Sequence, residues 1–333
     1  VLTFFSIVSL TPAAGLAALH AHQAQSDFPS PPISWNLFDD IQTQLQYAFM
    51  QNAYLAGAIV AVVAGVVGYF VVLRGLSFAG HALSHIGFAG ATGAVALSGV
   101  SLFGIILDIP AVFGLLVFTV VSAVGMGILG KRIHGRDVAI GIVLAWALGL
   151  GVLFLSLYSG YATEAYALLF GEILGISVGD VVITVIAGAI TLIAVAALYR
   201  PLLFASFDDE VAEARGVPVR FLSIAFMVIL ALAVSEAVQV VGVLLIFALL
   251  VTPAAIAERL TARPGRAIAI SILLALGFTW VGLFIAYYLP YPVSFFITSL
   301  AFGSYVLVRL FFALRGRFAR RPQQAQALEG QAA

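Results

Sequence analysis

Nine runs of mostly apolar residues, set almost back to back, limit what this chain can fold into. They fall at 53–73, 79–99, 109–130, 138–158, 181–199, 218–235, 238–257, 267–289 and 293–314. An α-helix needs about 20 such residues to cross the hydrocarbon core of a bilayer. Apolar residues make up 63% of the chain and charged residues only 9%, against roughly 25% charged in a soluble domain. No soluble fold could hide that much apolar surface, so the solvent is lipid. The expected fold class is an all-α polytopic membrane protein with eight to nine transmembrane helices. The sixth and seventh runs are broken only by Ser235, Glu236 and Gln239, which read as a polar island at the turn between them. An eight-span fold would make one run re-entrant.

The cations order these spans. Lys and Arg occur only at Arg74, at Lys131, Arg132 and Arg136, from Arg200 to Arg220, at Arg259, Arg263 and Arg266, at Arg309, and from Arg315 to Arg321. Basic loops stay on the cytoplasmic side, and these fall after every second run. Nine spans with the N-terminus outside and the C-terminus inside fit. The outer loops are short. Asp108 and Pro110 read as the start of the third span, Asp180 as the cap of the fifth, and Asp137 as the cap of the fourth. The stretch 160–175, with Glu164 and Glu172, reads as a short helix at the outer face. Residues 1–36 read as an N-terminal extension or a signal-like segment lacking a basic start. Residues 37–314 read as the membrane domain and 315–333 as a cytoplasmic basic and polar tail.

The stretch RGLSFAGHALSHIGFAGA (74–91) places His81 and His85 four residues apart. On a helix that spacing puts both imidazoles on one face, about 6 Å apart at their roots. Ionisable side chains at membrane depth are costly and mark functional sites. Gly80, Ser84, Gly87, Gly90, Ala91 and Ala94 surround the pair, and small residues let helices approach closely. This face is therefore expected against protein. Neutral imidazole binds zinc and other first-row divalent ions, and the bland alternative is two packing histidines hydrogen-bonded to neighbouring helices. The HALSH run lacks the Glu of the H-E-x-x-H peptidase signature, because Ala82 stands there.

The stretch SFDDEVAEARGVPVR (206–220) reads as a complete small helix in the longest cytoplasmic loop. Ser206 is the expected N-cap with Asp209 at the capping-box position. Asp208, Asp209 and Glu210 face the positive end of the dipole, and Arg215, Gly216 and Pro218 end the helix. Phe207, Val211 and Ala214 form one apolar stripe that needs something to pack on. A helix lying on lipid is the alternative, but its acidic start opposes a negative leaflet.

Other features narrow the function. GMGILGKR (125–132) approaches a phosphate loop, but Arg132 occupies the magnesium-binding Ser/Thr position and the preceding residues form a membrane run. Any ATPase is then a separate polypeptide. The chain has no cysteine, which removes thiol nucleophiles and zinc ribbons. Basic residues are confined to loop ends, which argues against nucleic-acid binding. Pro253 is expected to kink the seventh span.

These two stretches, with VVGVLLIFALLVTPAA (240–255), resemble the permease subunit of the zinc/manganese ABC importers, the family 3 metal-uptake permeases. The resemblance runs from about Leu37 to about Leu314. It implies a non-enzymatic subunit of the prokaryotic plasma (inner) membrane that imports a divalent cation, zinc, manganese or iron. The implied partners are a cytoplasmic ABC ATPase, an extracytoplasmic metal-binding protein and a second permease copy. The family pattern carries an acidic residue where His81 stands, followed by the Ser-His seen here as Ser84 and His85. The resemblance makes His81 and His85 a transient metal site, with His81 leaning toward zinc. It makes the 206–220 helix the piece that couples to the ATPase. A secondary transporter driven by an ion gradient is the rival. It would also show nine spans and buried histidines, but not a coupling helix.

Overall fold

The computed structural model describes residues 36–97, 101–102, 105–106, 110–129, 133–157, 171 and 173–331. A short helix α1 (Leu37–Leu45) leads into α2 (Ala48–Leu73), α3 (Ser77–Leu97), α4 (Ala111–Leu129), α5 (Ile133–Leu157) and α6 (Val178–Phe207). A second short helix α7 (Asp209–Ala214) is followed by α8 (Val219–Val241), α9 (Val243–Leu260), α10 (Pro264–Tyr288) and α11 (Val293–Gln331). A two-residue antiparallel pairing of Ser101–Leu102 with Ile105–Ile106 and a 3₁₀ turn at Ile173–Gly175 complete the regular structure of the described residues. Most of the stretch 160–175 lies outside the described residues.

Among the described residues, eight helices are long and apolar enough to cross a membrane. The remaining long helix is α3, whose two histidines and many glycines lower its hydropathy. Yet 14 of its 21 residues are buried, so it is sheltered by the bundle. The small residues flagged around the histidine pair (Gly80, Ser84, Gly87, Gly90, Ala91 and Ala94) are all buried, as expected.

The bundle is organised around α2 and α8, in each of which 67% of the membrane window is buried. The peripheral α11 buries only 11% of its window. α2 packs on α10, α9 and α6, while α3 packs on α4 and α5 and α8 packs on α4 and α6. Contact is made where glycine lets backbones meet. A Cβ at Gly68 would collide with the Leu250 carbonyl oxygen, and one at Gly90 with the Gly114 carbonyl. A Cβ at Gly65 would stand 2.7 Å from Ile272 Cα.

Several helix ends differ from the sequence reading. Ser177, not Asp180, caps α6. Its Oγ accepts from Asp180 N (3.2 Å) while Asp180 Oδ2 accepts from Ser177 N (3.1 Å), a reciprocal capping box in which the acid is the third helical residue. Asp137 does not open α5, which begins a turn earlier at Ile133. Pro110 precedes α4, and its carbonyl accepts from Phe113 N. Asp108 lies outside the described residues. The break between the sixth and seventh runs falls at Gly242, with φ of 83°, a backbone state that glycine adopts without a Cβ clash. Ser235 and Glu236 therefore sit inside α8, buried at 3% and 6% exposure, and form no turn. Three polar residues in seven broke the apolar pattern, but helical propensity and burial carried the helix through them.

Helix α1 is amphipathic with its polar side inward. Asp40 and Gln44 are buried. Gln44 Oε1 accepts from Tyr54 OH (2.6 Å), and Gln44 Nε2 donates to the Phe284 carbonyl (3.4 Å). Phe38, Ile41 and Leu45 are exposed on the other side. An outward apolar stripe suits a helix lying at a lipid interface.

Two outcomes follow. Gly68→Ala places a methyl group on the Leu250 carbonyl and should lower the thermal unfolding midpoint in detergent by several degrees, in line with an overpacking cost of about 1–3 kcal/mol. Gly125→Ala, with nothing within 4 Å, should leave the midpoint unchanged; equal midpoints for both variants would refute the close contact. For topology, single cysteines replacing the exposed Asp39 and Glu213 should react with a membrane-impermeant maleimide from opposite sides of the membrane. Labelling of both from one side would show that an even number of the intervening helices cross.

Candidate metal site and coupling surface

Helix α3 starts just past the Arg74–Gly75 turn. Gly75 has φ of 64°, and Arg74 is anchored by an Nη2 hydrogen bond to Ser223 Oγ (2.9 Å) with its guanidinium 5.7 Å from the Phe226 ring centre. This contact ties the end of α2 to α8. The first turn of α3 then brings His81 inward, with His85 one turn on.

The two imidazoles meet as the spacing predicts. Their ring centres are 4.6 Å apart with planes at 80°. His81 also packs edge-on against Phe247 of α9 at 5.1 Å. Both rings are half-buried, neither sealed in the core nor set in open solvent. His81 Nδ1 is buried and has no hydrogen-bond partner among the described residues. A packing histidine hydrogen-bonded on both ring nitrogens is therefore not what His81 is. Its free nitrogen has a lone pair to offer once the other carries the proton. Ser84 does not point at the pair, because its Oγ donates to the His81 carbonyl (2.7 Å) within the helix. Among the described residues no group of three His, Cys, Asp or Glu side chains comes together. The pair thus offers two imidazoles. A first-row divalent ion needs four or more ligands, so these two alone do not make a full set.

Phe247 was invisible to sequence reasoning. It lies on α9, far along the chain, and periodicity within one helix carries no register between helices.

The 206–220 stretch is corrected in its first residues. Ser206 is not an N-cap. α6 runs on through Phe207, and Ser206 Oγ donates to the Leu202 carbonyl (2.6 Å) within it. The cap is Asp208, in extended conformation, whose Oδ1 accepts from Val211 N (2.9 Å). Asp209 is then the first helical residue and not a capping-box partner, with Glu210 beside it in the first turn. The shift has a simple cause: the apolar α6 pattern continues to Phe207, so the first residue free to leave helical geometry is Asp208. The far end is as expected. Arg215 closes α7 and Gly216 turns with φ of 83°. Gly216 N donates to the Glu213 carbonyl and Val217 N to that of Ala212. Ala212, missed by the sequence reading, is fully buried and seats α7 on the bundle. Phe207 (66% exposed), Val211 (46%) and Ala214 all face out. The three side chains therefore do not form a stripe on one helix: Val211 and Ala214 face out from α7, and Phe207 faces out from the end of α6.

Comparison with known proteins joins these features. The model of the ABC 3 transport family matches residues 46–312. The manganese transport system membrane protein MntC of Listeria monocytogenes is 34% identical over 244 residues, covering 73% of this chain and 83% of that one. The manganese import system permease protein ScaB of Streptococcus gordonii is 35% identical over 284 residues, covering 84% and 97%. Among solved structures, PsaBC from Streptococcus pneumoniae in complex with Fab superimposes with a TM-score of 0.70 at 32% identity, covering 82% of this chain and 95% of that one. An inward-facing metal-chelate type ABC transporter shares the fold, with a TM-score of 0.65 at 16% identity. With its histidine-bearing α3, its Asp208-capped α7 and a family match spanning nearly the whole bundle, the chain belongs to the ABC 3 transport family.

Proposed function

We propose that this chain is the membrane-spanning subunit of an ATP-driven importer that carries a divalent first-row cation, manganese, inward across a prokaryotic plasma (inner) membrane. Manganese is named in the relatives MntC and ScaB. A softer site, with His81 in place of a carboxylate, leans the other way, toward zinc, but imidazole also accepts harder ions weakly. The observation that carries the reading is the His81–His85 pair on a sheltered helix, with one ring nitrogen left without a partner among the described residues.

In this reading His81 and His85 hold the cation in transit. Two ligands on one helix make a weak site, which suits transport because an ion held too tightly would not leave. The remaining ligands come from water or a second copy of the permease. A binding protein delivers the ion at the outer face. At the inner face α7 seats on an ABC ATPase. Asp208, Asp209 and Glu210 keep the helix start polar, Phe207, Val211 and Ala214 supply the contact, and Arg215 and Gly216 fix its end. Ser206 stays inside the last turn of α6, its Oγ bonded to the Leu202 carbonyl, and has no part in this contact. The permease performs no chemistry of its own.

The site is tested by whole-cell uptake of manganese, zinc and iron isotopes at matched permease abundance. His85→Ala and His81→Leu should each nearly abolish uptake, whereas His81→Asp should keep it and shift preference toward manganese. Normal uptake by the His81→Leu, His85→Ala double variant would reduce the pair to packing. Coupling is tested by Phe207→Asp and Gly216→Val. Each should detach or uncouple the ATPase while leaving the permease in the membrane. Intact complexes with full ATP-driven uptake in both variants would remove α7 from that role.

A further inference from the structure

A second polar feature lies away from the histidine pair. Glu236 of α8 is 6% exposed, and neither of its carboxylate oxygens has a hydrogen-bond partner among the described residues. Ser235 Oγ beside it is buried and equally unpartnered. Both residues line a cleft of about 220 Å³ whose walls come from α4, α6 and α8. Gln239, one turn on from Glu236, and Thr184 of α6 complete its polar lining. The rest is aliphatic.

Glycine keeps the front of this carboxylate clear. A Cβ at Gly188 of α6 would stand 2.9 Å from Glu236 Oε1, and also 2.8 Å from Ile59 Cγ2. Glu236 lies five residues before the Val241 end of α8, inside a helix long and apolar enough to cross a membrane. Leu115 of α4 lines the cleft and also touches the Gly87 position of α3. The cleft and the histidine helix thus share a wall without sharing ligands.

A carboxylate at this depth cannot remain ionised and alone, since a buried charge without a partner is costly. Either a proton or a cation must answer it. A proton needs one oxygen. It leaves the bare Ser235 hydroxyl, the neighbouring Gln239 amide and the open cleft without a role. A metal ion uses them all, since carboxylate, amide and hydroxyl oxygens suit hard divalent cations such as manganese. We propose that Glu236, Ser235 and Gln239 form a second intramembrane cation site, an all-oxygen one selective for hard divalent ions. The proposal rests on the transport reading only in the choice of manganese as the probe.

The test is manganese binding to the purified full-length permease in lipid nanodiscs, read from loss of the free-ion paramagnetic resonance signal. The background is the His81→Leu, His85→Ala variant, which removes the other candidate site. That variant should still bind about one manganese per chain, with zinc competing poorly. Adding Glu236→Gln, close to isosteric, should weaken the binding at least about tenfold. Gln239→Leu should weaken it without touching the carboxylate, which guards against a folding defect in the first variant. Unchanged binding after Glu236→Gln overturns the proposal. So does a folded His81→Leu, His85→Ala permease that binds no manganese but shows a protonated-carboxyl infrared band lost in Glu236→Gln; Glu236 is then a proton site. Failure of the transport reading would appear separately, as normal uptake in the double-histidine variant.

Discussion

Close approach of helix backbones is the constraint on which this structure depends. In lipid, apolar side chains gain little by turning from hydrocarbon toward one another, and association rests on tight packing at small residues. α2 is the spine of that packing. Gly57 faces Thr279, Gly65 faces Ile272 and Gly68 faces Leu250, so one helix locks to α9 and α10 along its length. α3 is set the same way, with Gly90 against Gly114 of α4 and Gly93 against Phe154 of α5. With those faces committed, the rotation of α3 is fixed. The face bearing His81 and His85 turns toward Phe247 of α9, away from α4 and α5. The same small residues that lower the apparent hydropathy of α3 are therefore what position its histidines.

Much of this was legible in the chain. Apolar run length located the long helices, because bilayer thickness acts on each run alone. The i, i+4 spacing of His81 and His85 gave their contact, because it is a property of one helix. Gly216 ended α7 where expected, because its left-handed turn is local. What the chain hid was relational. Ser206 read as a cap, since a Ser followed by acids carries that signature, but the longer apolar register of α6 outweighed it. Glu236 read as a loop residue, since a carboxylate amid apolar residues marks an end more often than an interior. Only the neighbouring α4 and α6, with Gly188 opposite, show that it has a cleft to itself. Phe247 and Ala212 gave no signal, as each matters only for what another helix brings to it.

The candidate sites differ in hardness and placement. Imidazoles on α3 are intermediate ligands in a half-buried setting, and oxygens on α8 are hard ligands deeper in the bundle. Both helices pack on each other and on α4, so a displacement of α4 would be felt by both sets of donors at once. Arg74 adds a third connection, holding the α2–α3 turn to the N-terminal part of α8. The polar groups of the core are thereby attached to a common set of helices, and a rearrangement of that set alters their environments together.

Helix α6 is 30 residues long, or about 45 Å, while the hydrocarbon core is about 30 Å thick. Set upright in a bilayer, α6 would reach about 15 Å past the hydrocarbon and, as an arm, hold α7 beyond it. A swing of about 5° about its Ser177-capped end moves the Phe207 end by about 4 Å, from helix length alone. The arm is not uniformly stiff. Pro201 lies inside it and, lacking an amide hydrogen, leaves the Ala197 carbonyl without its helical donor. A displacement at the α7 end of this arm is therefore carried along α6 through a turn that has lost one backbone hydrogen bond and bends more readily than the rest.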